Sequence, residues 1–82
     1  MITKTSTLPE LYDHAILSAK DVASGEVFIV RDLFRGFEWN RIPKGMRIKL
    51  GSMFFAYAQG AASNEFAILG KTPQNQQKYR KI

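Results

Sequence analysis

The sequence predicts an α+β fold from three observations. An apolar stripe at helical spacing runs near the start as Leu8, Leu11, Tyr12, Ala15, Ile16, Ala19 and Val22. A second stripe follows Pro43 as Met46, Leu50, Met53, Phe54, Tyr57 and Ala61. The last part of the chain holds two strand-like runs around a polar turn. With a short strand and a brief helix between the stripes, the order is helix, strand, helix, helix, hairpin. That is the order of a winged helix-turn-helix, whose third helix enters the major groove and whose hairpin, the wing, lies along the adjacent backbone.

Taken in order, Met1 to Ser6 reads as a frayed start. Thr7-Leu8-Pro9-Glu10 has the capping-box form, so the first helix is expected from Leu8 to Ala23. Ser24-Gly25 would end it, with Gly25 free to take a positive φ. Glu26 to Ile29 is rich in strand formers. Val30 to Phe34 follows as a short second helix closed by Gly36, with Ile29 a poor cap. Phe37 and Trp39 fall in the link to the third helix, where they read as satellite core rather than as a stacking platform.

The third helix is expected from Pro43 to Gly60, with Pro43 preset for its first turn. Ile48 and Phe55 lie opposite the core face on a helical wheel, so this helix is apolar on two sides. Gly51 costs mid-helix stability of about 1 kcal/mol relative to alanine, which a close backbone approach would justify. Glu65 to Leu69 and Gln77 to Ile82 are the last two strands, joined by the polar turn Gly70 to Gln76.

Eighty-two residues make one domain with a small core. There is no cysteine, which excludes disulfides and cysteine-based zinc sites and fits a reducing, cytoplasmic setting. No apolar run follows a positive start, so no signal peptide is expected. No apolar stretch is long enough to span a bilayer.

Charge is divided along the chain. Residues 1–40 carry four basic and six acidic groups, a net −2, and residues 41–82 carry eight basic groups and only Glu65, a net +7. Arg41, Lys44, Arg47 and Lys49 crowd the positive end of the third helix, against its dipole. Such crowding fits a polyanion partner.

No catalytic constellation is present, and no enzyme activity is expected. His14 is the only histidine and reads as a surface residue of the first helix. Neither a phosphate loop nor metal-ligand spacing occurs, so no cofactor or metal is expected.

Gly25-Glu26-Val27-Phe28, Asp32-Leu33-Phe34, Gly36, Glu38 to Gly45 with Arg47, Leu50-Gly51 and Phe54, then Lys71-Thr72 and Asn75 to Tyr79 form a set of motifs. In these the chain resembles a family of small uncharacterised proteins of Gram-positive bacteria, their phages and conjugative elements. The resemblance implies a winged-helix-like fold and a cytoplasmic role, such as regulation of a mobile element, and brings no established site residues. Ile29 replaces a usual threonine, removing a cap, and Met46 replaces a usual polar residue.

The leading expectation is therefore a regulator that binds double-stranded DNA. Arg41, Lys44, Arg47, Lys49, Lys71, Lys78, Arg80 and Lys81 would meet phosphates. Ser52 and Asn75, with Asn40, Gln59 and Gln74, are candidates for base edges. The alternative is a protein-interaction module that holds a partner, or itself as a homodimer, through Met46, Ile48 and Phe55. A third reading is single-strand binding through Trp39, Phe37 and basic neighbours.

Overall fold

A computed structural model of the chain describes residues 2–82. Its elements are α1 (Leu8–Ala19), β1 (Val27–Phe28), a 3-10 turn (Val30–Leu33), α2 (Gly36–Arg41), α3 (Lys44–Gln59), β2 (Phe66–Lys71) and β3 (Gln77–Lys81). The result is a small α+β fold with three helices and one three-stranded antiparallel sheet in the order β1-β3-β2.

The α1 start is as the sequence predicts. Glu10 N–H donates to the Thr7 hydroxyl at 3.4 Å, and Thr7 N–H donates to the Glu10 carboxylate at 2.8 Å. Its end comes earlier than Ala23. After Ala19 the backbone tightens, with Asp21 N–H on Ser18 O and Val22 N–H on Ala19 O. The Glu26 carboxylate then takes the Ala23 N–H at 2.6 Å. Gly25 does adopt a positive φ of 88°, but as the turn into β1, where its N–H reaches Lys81 O.

The segment between the long helices differs most from expectation. The second helix does not run from Val30 to Phe34 and close at Gly36. Val30–Leu33 is a single 3-10 turn, and the helix proper begins at Gly36 and carries Phe37 and Trp39. The missing side-chain cap at Ile29 is replaced from the other side, by the Asp32 carboxylate accepting Ile29 N–H at 3.0 Å. Phe37 is 47% exposed and so is not satellite core, whereas Trp39 packs against the core. His14 is half-buried, its ring stacked on Phe34 at 4.7 Å.

The expected frayed start contains a buried residue. Ile2 is 4% exposed. Its N–H donates to the Glu38 carboxylate at 3.1 Å, and its carbonyl accepts from the Arg41 guanidinium at 2.8 Å. Glu38 is the buried charged side chain among the described residues. The bond from Ile2 N–H holds its carboxyl below the ordinary value of 4.5. Because that pKa is depressed on folding, the bond's contribution is complete above the ordinary carboxylate range. It is lost as pH falls through the lower native value. Glu38→Gln is expected to lower stability at neutral pH by about 1 kcal/mol. Urea melts of wild type and variant at descending pH check this: their difference should narrow in acid, and an unchanged difference would contradict it.

Helix α3 buries Leu50, Phe54 and Ala58. Pro43 is its N-cap residue rather than its first helical residue. Met46 and Tyr57 are only partly buried, and Ala62 rather than Ala61 closes the core beyond the helix. On α1, Leu11, Ala15 and Ala19 are buried while Ile16 is half-buried. Two alanines at the α1 seam let the helices approach closely, which pushes the larger Ile16 to the margin. The sheet closes the other side. Phe28, Phe66 and Tyr79 come from its three strands, and with Phe54 they form an aromatic cluster with centroids 5.1 to 6.2 Å apart.

The hairpin turn is held by Thr72, whose N–H donates to Gln76 O and whose carbonyl accepts from Asn75 N–H, both at 2.8 Å. Asn75 sits at φ 64°, a conformation asparagine tolerates. The β2–β3 register shifts between Ile68 and Lys71. Gln77 fills the irregularity, its amide donating to the Leu69 carbonyl.

Candidate nucleic-acid interface

The side of α3 that faces away from the core is the floor of a groove with a volume of about 660 Å³. Four segments build it. Arg47, Ile48, Gly51, Ser52 and Phe55 come from α3, and Trp39 from α2. Ile29, Val30 and Arg31 form one wall, where β1 passes into the 3-10 turn. The hairpin contributes Lys71, Asn75, Gln76, Gln77 and Tyr79. The double-sided apolarity of the third helix thus has a structural reason: Ile48, 63% exposed, and Phe55 line this groove.

Gly51 does not serve a close approach of protein backbone. A side chain built there would meet nothing within 4 Å, so the glycine leaves open space in the groove floor. Arg47 lies along the Trp39 ring at 5.3 Å and donates from Nη2 to the Trp39 carbonyl at 3.0 Å. Its Nε–H is buried and finds no hydrogen-bond partner among the described residues. The same holds for the Tyr79 hydroxyl, whose side chain is fully buried. Burial pushes the Tyr79 pKa up to about 12, so the phenol keeps its proton and remains a donor. Arg31, Arg47 and Lys71 come from three separate segments, and no carboxylate lines the groove.

Of the residues singled out in the sequence, Arg47, Ser52, Lys71 and Asn75 meet here, together with Ile48 and Phe55. Part of the expected DNA-contact set and part of the expected partner-contact set therefore share one surface. Lys44 lies on the same stripe of α3 one turn before Ile48, without lining the groove, and Lys49 points elsewhere. Lys78 and Arg80 alternate with buried Tyr79 along β3, so they occupy the outer face of the sheet, away from α3. Lys81 turns inward over the Phe66 ring at 4.9 Å and stands 4.0 Å from the Glu65 carboxylate. Arg41 is engaged with Ile2 and stacks on Phe37 at 4.9 Å. Met46 packs on the core and is not a free contact residue. Asn40, Gln59 and Gln74 are exposed outside the groove.

Sequence reasoning missed Ile29, Val30 and Arg31. Arg31 belongs to the net-acidic half, and only the fold brings it to the basic one. Gln76, Gln77 and Tyr79 were visible as part of the hairpin but carried no signal of facing α3.

The chain is a small α+β protein with a cation-rimmed groove of apolar floor. The chain belongs to the family described as Domain of unknown function (DUF1413), whose model matches residues 7–81. A solved structure described as "SCCmec type IV LP1413 - nucleic acids binding protein" has the same fold. The TM-score is 0.72 at 18% sequence identity, over 92% of each chain. None of the curated proteins compared matches the chain. No described helix is long and apolar enough to cross a membrane.

Proposed function

We propose that this protein binds nucleic acid and takes an unpaired strand into the groove between α3 and the hairpin. One observation carries the reading: Arg31, Arg47 and Lys71 converge from three segments on a carboxylate-free groove with an apolar floor. Cations for phosphates beside apolar and aromatic side chains for exposed base faces are the pairing that single strands require. A volume of about 660 Å³ suits one or two nucleotides rather than a duplex edge. The arrangement reads as a winged helix, with α2 and α3 as the helix pair and β2–β3 as the wing, and the sheet order supports it. The solved structure of the same fold, described as a nucleic acids binding protein from SCCmec, supports the ligand class and a mobile-element setting. No catalytic step belongs to this reading.

Duplex DNA fits the geometry less well. It would need Lys78 and Arg80 to share a surface with α3, and they lie on the other face of the sheet. The test is a salt titration of binding to a thymidine oligomer of about 16 nucleotides and to a duplex of equal length. Single strand is expected to bind tighter, with a log–log slope of about −2 for three phosphate contacts. Lys71→Ala should make that slope shallower by about 0.7, and Lys20→Ala should leave it unchanged. Tighter binding to duplex, or no binding to either at low salt, would overturn the proposal.

A further inference from the structure

Helix α2 has six residues and no side-chain cap at its start, too short and too bare to hold itself. Its position is set from outside. Glu38 and Arg41 stand three residues apart, on one face of the helix, and both meet Ile2. Ile2 N–H donates to the Glu38 carboxylate at 3.1 Å, and the Arg41 guanidinium donates to the Ile2 carbonyl at 2.8 Å. The Ile2 side chain is buried in the core, so the anchor is itself fixed. Between the two anchored residues stands Trp39. Its carbonyl accepts from Arg47 Nη2 at 3.0 Å, and the Arg47 guanidinium lies over its ring at 5.3 Å. The Phe34 ring meets the same indole at 5.7 Å. Trp39 and Arg47 line the groove, whereas Ile2, Glu38 and Arg41 do not.

We infer that Ile2 and Glu38 are positioning residues of the groove: they hold α2 so that Trp39 fixes the Arg47 guanidinium where a strand meets it. The inference rests on the strand-binding reading above and adds to it how a groove cation is kept in place. A free arginine side chain has many rotamers, and ordering it on binding costs affinity. Fixing it beforehand removes that cost. General electrostatics gives Glu38 the opposite role. Removing a carboxylate adds to the net charge of +5 and favours a polyanion. Positioning and net charge therefore change the affinity of a Glu38 variant with opposite signs.

The experiment measures affinity of the whole protein for a single-stranded thymidine oligomer, at one salt concentration and a temperature where melts show each variant folded. Trp39 is the only tryptophan of the chain, so its emission reports on α2. Glu38→Ala removes the acceptor for Ile2 N–H. It is expected to bind about threefold more weakly, part of the contribution of one strand contact, and to shift Trp39 emission to longer wavelength. Glu38→Gln makes the same charge change but keeps an acceptor oxygen, and is expected to restore both readouts. Ile2→Ala leaves the charge unchanged and is expected to act in the direction of Glu38→Ala; it carries the comparison if Glu38→Ala does not fold. Equal or tighter binding by Glu38→Ala, equal losses in the alanine and glutamine variants, or weaker binding with unchanged emission would overturn the inference and leave strand binding intact. If wild type binds no oligomer, the strand-binding reading falls. Emission then decides the anchor alone: a shift in Glu38→Ala that Glu38→Gln reverses supports it, and an unchanged spectrum overturns it.

Discussion

Phe54→Ala is expected to lower stability by about 3–5 kcal/mol, the range for removing a buried aromatic ring. Phe54 is fully buried near the middle of α3. Its ring meets Phe28 at 6.2 Å, Phe66 at 6.0 Å and Tyr79 at 5.1 Å, and therefore touches every strand of the sheet. Truncation leaves a cavity lined by large rings that cannot collapse into it without breaking the β1–β3 pairing. A small domain has roughly 5–10 kcal/mol of stability in total, so the variant should be partly unfolded at warm temperature. Urea denaturation followed by circular dichroism reads this directly. A midpoint equal to that of wild type would show that the aromatic cluster does not hold helices and sheet together.

Arg47→Ala is expected to produce the largest loss of binding, about tenfold for a single-stranded oligomer, from one lost phosphate contact and the lost cover of the Trp39 ring. Arg47 is the residue that belongs to both parts of the groove, since its charge serves the rim and its plane covers Trp39. Removing it also frees the Trp39 carbonyl and uncovers the indole, so a modest stability cost of about 1 kcal/mol accompanies the change. Measuring affinity at a temperature well below both melting points separates the two effects. Lys49→Ala is the control, because Lys49 is exposed and does not line the groove. Equal losses for the two variants would reduce the interaction to general attraction between a polyanion and a cationic protein.

How much of this was legible in the sequence differs from element to element. The α1 start was readable because a capping box is a local device, complete within Thr7 to Glu10. The α3 core face was readable because Leu50 and Phe54 repeat at helical spacing. The stretch from Ile29 to Arg41 was not, because its boundaries are set by partners distant in sequence. Glu38 and Arg41 are fixed by Ile2, and Trp39 by Arg47. Within that stretch the sequence shows a glycine and three aromatics, Phe34, Phe37 and Trp39, which fit a loop as well as a helix.

The site was legible in kind but not in place. A basic second half and an outward apolar stripe on the third helix were both visible, and they were assigned to competing functions. In the fold, Arg47 and Lys71 of the basic half and Ile48 and Phe55 of the apolar stripe line one groove, while the other cations of that half lie outside it. Strand alternation in the sequence already sets Lys78 and Arg80 on the face opposite Tyr79, but it does not show that Tyr79 is on the side of α3, so it does not separate them from the groove. Lys71 was distinguished from Lys78 and Arg80 only by the register shift near the turn.

The scarcity of ion pairs has a wider consequence. Among the described residues one cation, Lys81, lies within reach of a carboxylate, although the chain carries a net charge of +5. The free protein therefore works against its own electrostatic self-repulsion, which a compact state feels more than an unfolded chain. On the proposed function, a bound polyanion would relieve that repulsion, and occupancy and folding would be thermodynamically linked. Simple salt acts in opposite senses on the two: it screens the repulsion within the free protein while it competes for the phosphates of the ligand.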